Sequence, residues 1–357
     1  MAKRGNSVIG VDLGKHAFKG VVLQRKGDSR YVLTNYAKRE VAHELTSADD
    51  LAQELKALLK ELGGSGKACA LAVSDPDALL RIVEQPETPV ELLRGALRFN
   101  GLMVLNQDCK EFVLDCAHAS ANRRTAGTSG ETDSAAGNVQ VSTETTTKYL
   151  VAGMLRANVK QISDAAAKVR TSAEILQLAP ICSFNAFEFA YPEIFSNDAF
   201  LLLDMGHVQS TVLIGSKQEL VLVRAIDYGG KNLMQALSAD GALETNAARL
   251  MLEQNDAGMT ETCRTSLIRL ATEVRNSIGF FEGQREESIQ RIFVSGGLAR
   301  AELVLQTLSD ELGLPCEIWD PLEMCEVALP AAKRQALPSE FVSLNVACGA
   351  AFEYLRN

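Results

Sequence analysis

The sequence predicts an α/β protein made of two similar halves facing a cleft, with a separate segment inserted into the first half. Three observations lead there. The stretch IGVDLGKHAFKG, Ile9 to Gly20, returns in outline as LLLDMGHVQSTV, Leu201 to Val212. Each copy is an apolar run that ends in Asp-x-Gly and resumes as a second apolar run. Each also opens a succession of strands and helices that specifies a mixed sheet covered by helices. Between Ser74 and Thr171 the composition changes and matches neither half.

In the first half, Val8 to Leu13 and Phe18 to Gln24 alternate as a β-hairpin, and Tyr31 to Tyr36 follows the turn KGDS as a third strand. Asp50 to Leu62 carries apolar residues at helical spacing and stops at Gly63-Gly64. Ala68 to Val73 is a short apolar run, the mark of a buried strand. Pro86 and Pro89 then precede an amphipathic segment from Glu91, and EFVLDCAH and KYLVAGM read as strands. Residues 119–147, between those strands, are rich in Ser, Thr, Gly and Ala. Such a stretch buries too little apolar surface to offset its ordering entropy, so Ser120 to Thr147 is expected to be mobile and dispensable for folding. VKQISDAAAKVRTSAEILQL, Val159 to Leu178, is expected as one helix, after which the chain returns to strands.

The second half repeats the plan. Phe200 to Met205 and Ser210 to Ile214 form a hairpin, with Leu220 to Ile226 as its third strand. A helical stretch runs from Lys231 to about Ile278, followed by a strand at Arg291 to Ser295, a helix at Leu298 to Leu312 and a strand at Cys316 to Trp319. The closing segment EFVSLNVACGAAFEYL is a helix rich in small residues, which implies close packing. The resulting division is 1–74 for the start of the first half, 75–171 for the insertion and 172–198 for the return. Residues 199–335 make the second half, with a helical part at about 241–288, and 336–357 pack back on the first.

Composition narrows the function classes. A chain of 357 residues is long for one core. Hydrophobic content of 46% with 23% charged residues is ordinary for a soluble protein. A net charge of -9 without clustered basic residues argues against a nucleic-acid partner. Asp12 interrupts the first apolar run too early for a signal peptide, and no apolar window approaches the roughly 18 residues of a membrane span. The eight scattered cysteines include no C-x-x-C pair and read as reduced thiols of a cytoplasmic protein; with only four histidines, a zinc site is not expected.

One Asp-x-Gly at the end of a buried strand is explained by a tight turn, in which Gly supplies backbone freedom and Asp caps it. Two copies at matching places point further. Turn glycines expose backbone N–H groups that cradle phosphates, and aspartates at such turns hold Mg²⁺ through water or orient an attacking water. Two such hairpins facing each other make a phosphate clamp.

These residues resemble the nucleotide-binding motifs of the actin-like ATPase fold, two ribonuclease-H-like halves around a nucleotide cleft. The carriers are the Asp12 to Lys19 spacing, the Asp204-Met-Gly206 hairpin and FVSGGLARAELVLQTLSDELG. Within that fold the chain is similar to the PilM family of type IV pilus assembly proteins, relatives of the division protein FtsA. DYGGKNLMQAL, LATEVRNSIGFFEGQ and NVACGAAFEYL extend the likeness along the chain, and the insertion sits where PilM and FtsA carry an extra subdomain. The resemblance implies ATP or ADP with Mg²⁺ near Asp12 and Asp204. Asp12, Gly14, Lys15 and Lys19 belong to the first phosphate loop, and Asp204, Gly206 and Ser210 to the second. Gly230 lies in the strand-exit segment, Gly296 and Gly297 approach the adenosine, and Arg275 meets the ribose or base.

The first loop carries Lys15, His16 and Ala17 where relatives place Ser or Thr, and the second carries His207, Val208 and Gln209. Binding without efficient hydrolysis is the expectation, with Lys15, His16 and His207 available to phosphate. The resemblance also implies a scaffold docked on the cytoplasmic N-terminal peptide of a PilN-type inner-membrane protein, and so peripheral to that membrane. The contact is expected on the insertion, at an unpaired edge of EFVLDCAH or KYLVAGM; self-association stays open. Two alternatives remain at this stage. Asn197-Asp198-Ala199 is reminiscent of the catalytic-base motif of sugar kinases on the same fold, which would make the chain a sugar or acetate kinase. An FtsA-like division protein is the other, disfavoured because the chain stops at Asn357 right after a helix that reads as buried.

Overall fold

The computed structural model describes residues 5–356 apart from 28, 42, 65–66, 121–145 and 239–242. The expected mobile stretch therefore lies almost wholly outside the described residues. The first hairpin is β1 (Ser7–Leu13) and β2 (Ala17–Lys26), extended by β3 (Arg30–Glu40). Helix α1 (Ala48–Glu61) starts at a capping box, in which the Ser47 Oγ accepts from the Asp50 backbone N–H and the Asp50 carboxylate accepts from that of Ser47. Its Leu51, Leu55, Leu58 and Leu59 face the sheet, which continues in parallel with β4 (Ala68–Val73).

The insertion comprises β5 (Leu79–Pro86), α2 (Val90–Leu105), β6 (Phe112–His118) and β7 (Thr146–Leu155). Its strands run in the order β5-β7-β6, and α2 closes one face through Leu93, Leu97 and Leu105. β7 is central and paired on both sides, so of the two expected edges only β6 remains one.

Helix α3 (Arg156–Val169) ends where Arg170 takes a left-handed conformation, φ 56°, and β8 (Ser172–Leu178) then pairs in parallel with β4. The single helix expected over Val159 to Leu178 is thus a helix and a strand. Ile175, Leu176 and Leu178 suit either period, and the open edge of β4 decides between them. α3 packs on α1 within the core of the first half through Ile162, Ala165 and Ala166, so the insertion closes near Leu155 and not at Thr171.

Two helices not anticipated from sequence follow, α4 (Ala179–Ala190) and α5 (Pro192–Asn197). α4, APICSFNAFEFA, is buried nearly all round and so shows no amphipathic period. The second hairpin is β9 (Ala199–Met205) and β10 (Ser210–Ser216), extended by β11 (Glu219–Ile226). The helical stretch resolves into α6 (Gly230–Leu237), α7 (Thr245–Glu253) and α8 (Thr260–Gln284). β12 (Ile292–Gly296), a short 3₁₀ turn, α9 (Glu302–Leu312) and β13 (Cys316–Ile318) complete the second sheet. β14 (Cys325–Val327) returns to the first sheet beside β3, and α10 (Ala331–Glu340) and α11 (Asn345–Arg356) close the fold; β14 and α10 carried too short or too polar a pattern to be anticipated.

The two large sheets, β14-β3-β2-β1-β4-β8 and β11-β10-β9-β12-β13, share one helical layer. α4 and α11 lie in a single core with Val8, Val21 and Ala70 of the first sheet and Leu202, Leu213 and Phe293 of the second. α1 and α3 cover the outer face of the first sheet; α6, α8 and α9 cover that of the second. Close approach makes the shared layer possible. A Cβ at Gly10 would lie 2.0 Å from the Ala347 carbonyl oxygen, and one at Gly349 would lie 1.7 Å from that of Cys182. Gly349→Ala should therefore destabilise the fold by about 3 kcal/mol, because the collision is with backbone. Gly279→Ala, on α8 with nothing within 4 Å of the new methyl, should stabilise by roughly 0.8 kcal/mol. Urea unfolding of the two variants checks both signs.

Candidate functional site: the cleft between two matched turns

The two Asp-x-Gly turns are built alike. A Cβ on Gly14 would stand 2.6 Å from the Ala17 carbonyl oxygen, and one on Gly206 would stand 2.5 Å from that of Gln209. Glycine is required at both places by the same carbonyl three residues on. Cross-strand partners differ: Asp12 opposes Lys19, whereas Asp204 opposes Thr211. A third approach comes from Gly296, held at φ 97° with its missing Cβ position 2.2 Å from the Met205 carbonyl oxygen. The backbone N–H groups of Gly230 and Lys231 donate to the carbonyls of Gly206 and His207, fixing the start of α6 over the second turn.

Asp12 is 3% exposed and accepts from the Lys19 ammonium at 2.9 Å through Oδ2, while its buried Oδ1 has no partner. Burial pushes the Asp12 carboxyl above the usual carboxylate range, with Lys19 pulling it back. Burial also works against the Lys19 charge, but the carboxylates of Asp12 and Asp204 outweigh it and hold the ammonium protonated. Asp204 is fixed differently. Its Oδ1 accepts from the Ser295 hydroxyl at 2.7 Å and the Asn345 amide at 3.1 Å, and that amide also lies 3.0 Å from the Ser183 hydroxyl. Asn345 thus ties α11, α4, β9 and β12 together on the cleft floor.

The cavity between the turns has a volume of ≈ 540 Å³. It brings together Asp12, Gly14, Lys15, Lys19, Asp204, Gly206, Gly230, Gly296 and Gly297, nine of the residues singled out from sequence. It does not bring Ser210 or Arg275. Ser210 is fully buried and donates its hydroxyl to the Tyr228 carbonyl at 2.7 Å, whereas the next residue, Thr211, lines the cavity. Arg275 points the other way and donates to the Glu311 carbonyl at the end of α9. Asp198, the base of the kinase alternative, precedes β9 at the end of that strand opposite Asp204, roughly 20 Å away at 3.3 Å per residue.

Sequence reading missed Lys38, Arg249 and Arg300, which also line the cavity. Lys38 is the cross-strand neighbour of Lys19 on β3, a signal that the β2–β3 register makes visible. Arg249 on α7 spans the cleft, pairing with Glu40 of β3 and with Glu253, each at 3.2 Å. Arg300 pairs with Glu340 at 3.2 Å and keeps a buried Nε–H without a partner. Among the described residues no carboxylate lies within ion-pair distance of Lys15, Lys38 or Lys231. Burial lowers the Lys38 pKa, and neighbouring Arg300 and Arg249 lower it further against the pull of Glu340. The cleft therefore holds unpaired cations in a chain of net charge -9, a setting that attracts a compact anion.

A sequence family described as Type IV pilus assembly protein PilM matches residues 136–355. The chain belongs to that family. No curated protein sequence matches it. Among solved structures, the PilM-PilN type IV pilus biogenesis complex is similar at 22% identity and a TM-score of 0.81, covering 99% of this chain and 100% of that one. The ethanolamine utilization protein EutJ from Carboxydothermus hydrogenoformans is similar at 12% identity and a TM-score of 0.55, covering 98% and 90%. MreB 5 of Spiroplasma citri bound to AMPPNP is similar at 11% identity and a TM-score of 0.50, covering 98% and 97%. At these identities the likeness establishes the fold, which is that of the actin-like ATPases. Among the described residues no helix is long and apolar enough to cross a membrane.

The residues after the two glycines meet in this PilM-family chain. The His16 and His207 rings stack across the cleft with centroids 4.4 Å apart and 16° between planes. Both imidazoles sit below the ordinary value of 6.5. Burial is the main cause in each; Arg249, Lys38 and Lys19 add to it at His16 against Glu40, and His16 and Lys231 add to it at His207. Groups with depressed folded-state pKa values stabilise the stacked form fully above 6.5, and that contribution is lost as pH falls through the folded values. NMR titration should show both rings ionising below 6.5. In His16→Ala the His207 pKa should rise; an unchanged or lower value would show that the rings do not interact.

Proposed function

We propose that the chain is an actin-like, nucleotide-binding scaffold of type IV pilus assembly. The carrying observation is the cleft itself: two matched glycine turns, each beside a fixed aspartate, open on the unpaired cations Lys15, Lys38 and Lys231. That arrangement suits the phosphates of ATP or ADP, with Gly230, Gly296 and Gly297 beside the nucleoside. Membership of the PilM family and the AMPPNP-bound state of the similar MreB 5 structure support the same reading.

Asp12 and Asp204 would hold Mg²⁺ through water. The fit rests on the buried, unpartnered Oδ1 of Asp12 and on the repulsion that Asp204 exerts on Asp12, which a divalent cation would relieve. Bound there, the ion would neutralise phosphate charge. Lys19 orients the Asp12 carboxylate through its ion pair, Ser295 and Asn345 orient that of Asp204 by hydrogen bonds, and the stacked histidines line the cavity.

Calorimetry with clean apo protein tests the reading. ADP and ATP should bind in the presence of Mg²⁺, and Lys38→Ala, which strands no carboxylate, should weaken binding about tenfold, or 1.4 kcal/mol. Arg275→Ala should leave affinity unchanged. Absence of nucleotide binding by the unmodified protein removes the nucleotide role and leaves a scaffold with a vestigial cleft.

The partner site is proposed on the insertion, where the edge of β6, unpaired by any other named strand among the described residues, suits an extended peptide from the cytoplasmic N-terminus of a PilN-like inner-membrane protein. The similar solved structure is of a PilM-PilN complex, and the chain would meet the membrane through such a partner. Replacing residues 79–154 by a short Gly-Ser linker spares α3 and should abolish capture of a PilN-type peptide while nucleotide binding survives. Undiminished capture would place the interface elsewhere.

A further inference from the structure

We propose that a groove at the far ends of α4 and α11 receives a cationic side chain, a guanidinium or ammonium group, from a basic peptide. The two helices begin at the cleft, where Ala179, Pro180, Asn345 and Val346 line the cavity. They end beside a separate cavity of ≈ 310 Å³, which takes in Asn185, Glu188, Phe189, Phe352, Glu353 and Arg356. At 1.5 Å per residue, the ends of α11 lie roughly 16 Å apart, so the groove is no part of the cleft.

Two acceptor oxygens in the groove lack donors. Asn185 is 6% exposed; its Nδ2 reaches the Glu353 carboxylate at 3.5 Å, and its buried Oδ1 has no partner. Glu188 gives Oε1 to the Arg356 guanidinium at 2.7 Å, while its Oε2 is buried and also unpartnered. Leaving two buried acceptors unsatisfied is unfavourable, and a donor-bearing ligand would remove that cost. Aromatic rings form the adjoining wall: Phe189 and Phe352 stack at 3.9 Å, and the Tyr31 ring meets Phe189 edge-on at 4.7 Å. Carboxylates with aromatic faces select a cation that carries several N–H donors on an apolar stem. Beside its pairing with Arg356, Glu188 thus turns a second carboxylate oxygen to the groove. Its volume accommodates one long side chain.

Saturation-transfer NMR on the full chain tests this with L-arginine amide, L-lysine amide and L-citrulline amide. Citrulline keeps the stem and replaces the charged group by a neutral one. Saturable binding of arginine amide or lysine amide is expected, at least about tenfold tighter than citrulline amide, with the better cation identifying the side chain. Glu188→Gln should weaken the cation about fivefold or more. Ser196→Lys, which sets an ammonium at the groove's edge without touching Glu188, should do the same with the melting temperature of the parent. The proposal is overturned by cations that do not bind, by citrulline binding as well as they do, or by Ser196→Lys without effect. None of these outcomes depends on nucleotide binding at the cleft.

Discussion

Helix α11 fits between the two halves only because glycine stands at two crossings, and the rest of the molecule depends on that contact. Gly10 admits the Ala347 carbonyl onto the central strand β1, and Gly349 admits the Cys182 carbonyl of α4. A methyl group at either point would force α11 away from the sheet. The consequence reaches the cleft directly, because Asn345 at the start of α11 bridges the Ser183 hydroxyl and the Asp204 carboxylate. Packing in the interior thus sets the position of an acidic side chain at the surface of the cavity.

The two turns share a backbone and divide the charge unequally. One glycine in each avoids the same carbonyl collision, yet only the first hairpin carries a lysine opposite its aspartate. Asp12 and Lys19 neutralise each other in a buried setting, where losing one partner would leave an uncompensated charge. Asp204 instead relies on neutral donors. The two turns therefore present one ion pair and one hydrogen-bonded carboxylate, with Lys15 of the first turn, Lys38 of β3 and Lys231 of α6 around them, none of them in an ion pair among the described residues.

The insertion is not held by the chain connection alone. The Glu219 carboxylate at the start of β11 accepts from Lys148 of β7 at 3.0 Å and from Arg285 after α8 at 2.9 Å. Burial opposes the Glu219 charge, but these two cations overcome it and hold its pKa below the usual range. Ser120 also forms a bridge with Glu219 across the same boundary. Insertion and second half are consequently joined by a half-buried charge cluster as well as by backbone pairing.

Elements with a clear period were legible in the sequence: both hairpins, α1, β4 and the small-residue closing helix, together with the duplicated halves and nine of the cleft residues. Local alternation and turn chemistry specify such features without reference to distant residues. The all-buried α4 was decided by tertiary structure, because a segment enclosed on every side has no polar face to mark its period; β8, and with it the boundary of the insertion, was decided by the open edge of β4, since its apolar residues suit either period. Lys38, Arg249 and Arg300 converge on the cleft from β3, α7 and the turn after β12; the β2–β3 pairing marks Lys38 as a neighbour of Lys19, but nothing in the local sequence of the two arginines announces the shared destination. Ser210 and Arg275 show the converse: their types and places suit a phosphate or a ribose, but a side chain serves the partner its backbone points it toward. For Ser210 that is the Tyr228 carbonyl, and for Arg275 it is the end of α9.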